Sequence, residues 1–321
     1  MNSARFLIRP LRTAGFLSQT FRATRLGDLR SSVLKVGSEN PLARKFAGKL
    51  RAFDRECAAY ELLRPLQGKL VPHCHTSTSV SRGSDGLILL EEITLSRTVA
   101  QSRGLSWAEL TTTAKSIATI HARFWESPMR AKTKQLPRHH YMLAHEVRSH
   151  LREFLRICSS VLTQADRQMI VQLPGRIDRA LRAARNQPVT LIHGDLRADN
   201  LLFTGSRTRP RVFFIDWQLA GWGLPAFDLA RLAAGSSSHP LPRSDQYKLV
   251  QIWHQSLSLS GVRRYPIEDA WQDYQTAMIL VLSIPITNAA ILTRLSTRGR
   301  KLVHLMIRRF FKNAGFLWCQ S

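Results

Sequence analysis

Leu191-Ile192-His193-Gly194-Asp195-Leu196-Arg197-Ala198-Asp199-Asn200-Leu201-Leu202-Phe203 sets a polar loop between two apolar runs, and Ile215-Asp216-Trp217-Gln218 follows after a short turn. Each acid emerges from the end of an apolar segment, Val189 to Ile192 and Val212 to Ile215, that reads as a buried strand. The fixed identities His193, Gly194, Asp195 and Asn200 arise by chance in about one chain of this length in several hundred, taking roughly one in twenty per position, so the pattern is specific. Upstream, helical periodicity fits 142 to 160 and 163 to 185, and a capping box at Ser106 and Glu109 opens an apolar stripe through Leu110, Ala114, Ile117 and Phe124. Before residue 94 short β-type segments dominate: Phe6 to Arg9, Gln19 to Thr24, Ser31 to Val36 and Leu87 to Leu90. The Gln19 to Thr24 and Ser31 to Val36 segments are joined by a turn at Gly27-Asp28, and one helix is expected from Leu50 to Leu63. Downstream of the loop the pattern stays helical, ending in a basic amphipathic helix around Leu302, Met306 and Phe310. The punctuation therefore divides the chain once, into residues 1–93 and 94–321.

The residue types of the loop suit one chemistry. Phosphoryl transfer needs a carboxylate beside the attacking hydroxyl, hard oxygen ligands for Mg²⁺, and cations against the phosphates, because positioning and electrostatics supply nearly all the catalysis. Asp195 suits the first task. Asn200, five residues on, and Asp216, on the next strand, can offer an amide oxygen and a carboxylate to the same ion.

With these motifs the chain resembles the aminoglycoside phosphotransferase and choline-kinase-like superfamily, particularly its ecdysteroid-kinase-like branch, whose HGDxRxDNxxF is followed by DWQ. The resemblance runs from about Pro10 to Tyr274. It implies an α+β, protein-kinase-like two-lobed fold, with a small β-rich lobe for the nucleotide and a larger helical lobe for catalysis and acceptor binding. It also implies ATP as donor, Asp195 as catalytic base, and Asn200 and Asp216 as Mg²⁺ ligands. Val33-Leu34-Lys35-Val36 looks like the third-strand lysine motif and Glu56 like its helix partner, so Lys35 would hold the α- and β-phosphates. Ala14-Gly15-Phe16-Leu17-Ser18-Gln19 stands where the phosphate-covering loop belongs and keeps one glycine of GxGxxG; Gly15 and Ser18 are its candidate contacts. Backbone groups of Glu92 and Ile93 fall where the linker meets the adenine edge. Asp228 matches an acid that braces the loop, and His193 reads as a loop-orienting residue. Arg197 is a candidate for the transferred phosphate or a solvated side chain. Gly194 stands where protein kinases have arginine, which favours a small hydroxylated acceptor over a protein.

Charge and cysteine usage bound the alternatives. The chain has 47 basic and 22 acidic residues, a net +25, which favours anions without choosing among nucleotide, nucleic acid and acidic lipid. No aromatic-basic recognition motif accompanies the charge, so nucleic acid is not an expected partner. A basic nucleic-acid or membrane binder, and a nucleotide-binding module without turnover suggested by the glycine-poor loop, stand as alternatives. Few acids lie in the helical part, which disfavours a polycationic acceptor and favours a neutral or anionic one. Cys57, Cys74, Cys158 and Cys319 form no CxxC pair, and His73-Cys74-His75 lacks a third and fourth metal ligand, so a reducing cytoplasm is the default. Arg5, Arg9, Arg12, Arg22 and Arg25 imitate a presequence, but the resemblance uses them as strands of the first lobe. The uncharged run from Thr276 to Leu292 is short for a membrane span and contains Pro285, and reads as a buried helix broken near that proline.

Overall fold

The computed structural model describes residues 6–11, 17–25, 31–139, 141, 143–287 and 297–318. Its first part is an antiparallel sheet of β1 (Phe6–Pro10), β2 (Ser18–Arg25), β3 (Ser31–Gly37), β4 (Cys74–Val80) and β5 (Asp85–Glu91), in the order β1-β2-β3-β5-β4. Lys35 sits in the middle of β3, opposite Thr20 on β2 and Ile88 on β5, so the sheet fixes its direction from both sides. Successive residues of a strand face opposite sides, which puts Lys35 on the same face as Val33 and Gly37.

The helix expected from Leu50 to Leu63 is broken in two. α1 (Pro41–Leu50) and α2 (Ala52–Leu62) are separated by Arg51, whose φ of 53° is left-handed. The turn at Gly83 packs against this break, so closely that a Cβ there would lie 2.8 Å from the Arg51 backbone. α1 starts on Asn40, whose side chain accepts from the Leu42 and Ala43 amides, with Pro41 at the first position. α2 turns Phe53, Glu56 and Tyr60 inward at helical spacing, and all three are buried. Glu56 is thereby carried to the sheet face that bears Lys35. The Gly27-Asp28 turn lies outside the described residues.

The remainder is mainly helical. α3 (Trp107–Arg123) begins with the expected capping box: the Glu109 amide donates to Ser106 Oγ, and the Ser106 amide to Glu109 Oε2 at 2.8 Å. α4 (Met129–Lys132), α5 (Ala144–Ile157) and α6 (Gln164–Ala183) follow. Two small antiparallel ribbons come next, β6 (Thr190–Ile192) with β9 (Gly221–Gly223), and β7 (Leu201–Gly205) with β8 (Pro210–Phe214). The 193–200 loop joins β6 to β7, and Asp216 lies between β8 and β9. α7 (Ala226–Ser236), buried at every position, runs beneath that loop. It packs against α9 (Ile267–Val281) and the last helix, Thr297–Ala314, with α8 (Arg243–Leu259) against α3. The uncharged run forms the end of α9 and α10 (Ser283–Thr287), broken at Leu282 just before Pro285; its residues from 288 lie outside the described ones. No helix among the described residues is long and apolar enough to cross a membrane.

One polar pair in this helical core generates a pH dependence. Tyr265 donates its hydroxyl to Asp273 Oδ2 at 2.9 Å, while Asp273 Oδ1 has no partner among the described residues. Burial pushes the Asp273 carboxyl up to about 7, with the Tyr265 hydrogen bond acting against it. A raised acid is stabilising in the folded state below its unfolded pKa of about 3.9, and that contribution is lost as pH rises through 7. Asp273→Asn, which keeps an oxygen for Tyr265, is expected to flatten the fall in unfolding free energy between pH 4 and 7. The gain at pH 8 is on the order of a few kcal/mol. Urea unfolding across that range checks it, and an unchanged pH slope would contradict it.

Candidate active site

Three of the expected residues meet at one cation. Lys35 Nζ lies 2.6 Å from Glu56 Oε2 and 2.6 Å from Asp216 Oδ1, so β3, α2 and the segment after β8 converge on it. Lys35 is 6 % exposed and Glu56 1 %. Burial opposes the ammonium charge, but Asp216 and Glu56 outweigh it and hold Lys35 above its ordinary pKa. Burial likewise works against the Asp216 carboxylate, and Lys35 overcomes it, leaving Asp216 below the usual range. Asp216 adopts a left-handed φ of 67°, a conformation that non-glycine residues rarely take. The Ile215 amide donates to the Asn200 carbonyl at 3.1 Å, which sets Asp216 beside the end of the 193–200 loop.

Within that loop Asp195 is the focus. Its Oδ1 accepts from Arg231 Nη2 at 2.9 Å and its Oδ2 from Arg197 Nε at 3.1 Å. Asn200 Nδ2 donates to the Asp195 carbonyl at 2.9 Å, which turns its Oδ1 the other way along the amide. Arg197 also reaches Asp199 Oδ2 at 3.0 Å, and these acids, Asp195 foremost, raise its pKa. Asn200 and Asp216 therefore offer one neutral and one anionic hard oxygen, a donor pair that fits Mg²⁺. Among the described residues no group of three or more His, Cys, Asp or Glu is arranged to hold a metal, the 73–75 cluster included.

Asp228 fixes the backbone of the loop. Its Oδ2 accepts from the His193 amide at 2.7 Å and its Oδ1 from the Gly194 amide at 2.9 Å. Trp253 Nε1 donates to His121 Nδ1 at 3.2 Å, which leaves the His121 proton on Nε2, 3.2 Å from Asp228 Oδ2. Burial would raise Asp228; the hydrogen bonds from the His121 side chain and the His193 backbone hold it low. His193 donates from Nε2 to the Ile215 carbonyl at 2.9 Å, which agrees with its reading as a loop-orienting residue. Gly194 has φ 80°, and a Cβ there would lie 2.3 Å from the Leu219 carbonyl oxygen. Arginine is excluded at this position by backbone shape as well as by space.

The remaining candidates belong to the first part of the chain. Ser18 is buried at the start of β2, opposite Gly37, and Gly15 lies outside the described residues. The Glu92 side chain is engaged by Arg22 Nε at 2.9 Å and by the Ser31 hydroxyl, and its amide points at the Ser31 carbonyl from 3.4 Å. Ile93 follows directly at the end of the sheet. Sequence reasoning missed Arg231 and the His121–Trp253 pair. Arg231 carried a signal: within Ala226 to Ser236 it and Asp228 are the only charged residues, three apart and so on one helix face.

An antiparallel sheet whose buried lysine pairs with a helix glutamate, ahead of a helical part that carries an HGDxxxxN loop and a following Asp, is the protein-kinase-like fold of choline kinases and aminoglycoside phosphotransferases. The structure is similar to a choline kinase from Cryptosporidium parvum Iowa II (TM-score 0.63, 12% identity, 98% of this chain and 90% of that one). It is also similar to the GDP complex of wild-type aminoglycoside 2'-phosphotransferase-IIIa (0.58, 12%, 98% and 94%) and a microcompartment-associated aminopropanol kinase (0.53, 14%, 98% and 93%). The model of the ecdysteroid kinase-like family matches residues 14–261, and the chain belongs to that family. No curated protein matches the sequence significantly.

The Gly194 geometry sets a prediction. Gly194→Ala combines left-handed strain with a backbone clash, and is expected to cost roughly 2–4 kcal/mol of stability. Urea unfolding measures this, and an unaltered midpoint would contradict the geometry.

Proposed function

We propose that the protein is an ATP-dependent small-molecule kinase that moves the γ-phosphate to a hydroxyl of a neutral or anionic acceptor. The observation that carries this reading is Lys35 bonded to both Glu56 and Asp216, with Asp195 and Asn200 on the adjoining loop. On this reading the sheet part, residues 1–93, takes the nucleotide, and residues 94–321 supply catalysis and the acceptor site. Lys35, steadied by Glu56, binds the α- and β-phosphates; Ser18 and Gly15 border the phosphates; the backbone of Glu92 and Ile93 meets the adenine edge. Asn200 and Asp216 would hold Mg²⁺, which when bound neutralises charge on the β- and γ-phosphates. Asp195 takes the proton of the acceptor hydroxyl as its oxygen bonds to the γ-phosphorus and the bond to the β–γ bridging oxygen breaks, releasing ADP. Arg197, partly exposed beside Asp195, is placed to meet the transferred phosphoryl group.

The acceptor preference follows from how the acids are used. Asp195 is paired with Arg197 and Arg231, Asp199 with Arg197, and Asp216 with Lys35. Each carboxylate of these motifs already accepts from a cation of the fold, so none is free to hold a polycation.

Asp195→Ala is expected to lower phosphotransfer from Mg·ATP about 10²–10⁴-fold while thermal stabilisation by Mg·ATP persists. Full activity in the variant would sink the assignment. A panel of hydroxylated acceptors assayed with labelled ATP should favour neutral or anionic compounds over kanamycin-like polycations, and the reverse order would overturn the acceptor class. Stabilisation by ATP with no turnover across the panel would favour a nucleotide-binding module instead.

A further inference from the structure

One buried charge has no part in the chemistry above. Arg231 is 4 % exposed, yet it gives one hydrogen bond, from Nη2 to Asp195 Oδ1, while its Nε and Nη1 have no partner among the described residues. Burial lowers its pKa, with Asp195 acting against that. A buried guanidinium with unused donors is a poor choice for stability, and an apolar side chain of similar volume would serve the core better. What the residue contributes must lie in the one bond it makes.

That bond is held from two sides. Gly235, one turn further along α7, makes room: a Cβ there would lie 2.5 Å from Arg231 Nη1 and 3.1 Å from Phe310 Cε2. Phe310, on the last helix and beyond the family-matched segment, packs on the guanidinium, whose Cζ is 5.3 Å from the ring centroid. The last helix is in turn tied down by Arg309 Nη2, which donates to the Ser102 carbonyl at 2.8 Å, and by Asn313 Oδ1, which accepts from the Leu241 amide at 2.7 Å.

The other side-chain partners of Asp195, Arg197 and Asn200, belong to its own loop and move with it. Among the described residues Arg231 alone refers the carboxylate to a helix outside the loop. A carboxylate has about four acceptor sites, so Arg231 occupies one lone pair of Oδ1 and thereby orients the second. We propose that Arg231 is a positioning residue for Asp195, holding Oδ1 in the orientation that receives the acceptor proton, with Gly235 and Phe310 setting its place. The inference rests on the phosphotransfer reading.

The test compares the full-length protein with Arg231→Met, Arg231→Lys and Gly235→Ala. Arg231→Met should fold with an equal or higher melting temperature and keep its KM for Mg·ATP within about twofold, while kcat falls about ten- to a hundredfold. Arg231→Lys should recover part of kcat, since it keeps the charge but not the planar fork. Gly235→Ala raises helix propensity while its Cβ displaces the flexible end of Arg231 and presses on Phe310 at 3.1 Å, so it should lower kcat with little net change in stability, and it carries the test should Arg231→Met not fold. Unchanged kcat in a folded Arg231→Met or Gly235→Ala overturns the proposal, as does a fall in kcat matched by falls in melting temperature and ATP affinity. If the wild-type protein turns over no acceptor, the phosphotransfer reading falls instead. The crystal structure of Arg231→Met then decides this inference: a displaced Asp195 carboxylate supports it and an unmoved one overturns it.

Discussion

A single buried ammonium joins the parts of this structure. Lys35 Nζ is 2.6 Å from one carboxylate on α2 and 2.6 Å from another after β8. Removing a lysine from water costs several kcal/mol, and one carboxylate at close range offsets that only with good geometry; two do so more readily. Each neighbouring element is constrained in consequence. β3 must hold its register with β2 and β5, α2 must present Glu56 rather than a solvent face, and Asp216 must accept a left-handed backbone to reach the same point. A backbone bond also ties the first part to the second: the Phe214 amide donates to the Leu70 carbonyl at 2.8 Å.

α7 plays the corresponding role beneath the 193–200 loop. Asp228, Arg231 and Gly235 lie at i, i+3 and i+7, on one face of the helix. The first accepts two loop amides, the second meets the Asp195 carboxylate, and the third clears space for the second. Ser236, at the end of the helix, accepts the Ala198 amide at 3.0 Å. The loop is thus held at three points along some twelve ångströms of rigid helix, at about 1.5 Å per residue.

Much of this was legible because the chemistry sits where periodicity changes. HGDxxxxN and the following Asp both interrupt apolar strands, and a polar loop between buried strands is a strong local signal. The fold followed from the same residues, since Lys35 and Glu56 precede the loop in the order the resemblance requires. What escaped reading has physical causes. β4 is Cys-His-Thr-Ser-Thr-Ser-Val, half-exposed at the sheet edge, and its polar composition conceals the strand. The break at Arg51 packs against the turn at Gly83, thirty-two residues away, a contact that no local window contains. The pairing of Arg231 with Asp195 spans thirty-six residues and depends on how α7 lies under the loop.

The net charge takes on a different meaning once the site is in view. Read from composition, +25 pointed to an anionic partner of unspecified size. In the structure the few acids near the centre serve as internal counterions: Glu56 and Asp216 for Lys35, Asp195 for Arg197 and Arg231. On the proposed reading Lys35 and Arg197 face phosphate while Arg231 orients Asp195, so each of these acids already has a partner within the fold. On that reading a cationic acceptor would have to displace one of these internal partners. The +25 of the whole chain, rather than a surplus of cations at the centre, is what on this reading draws an anionic nucleotide toward the cleft.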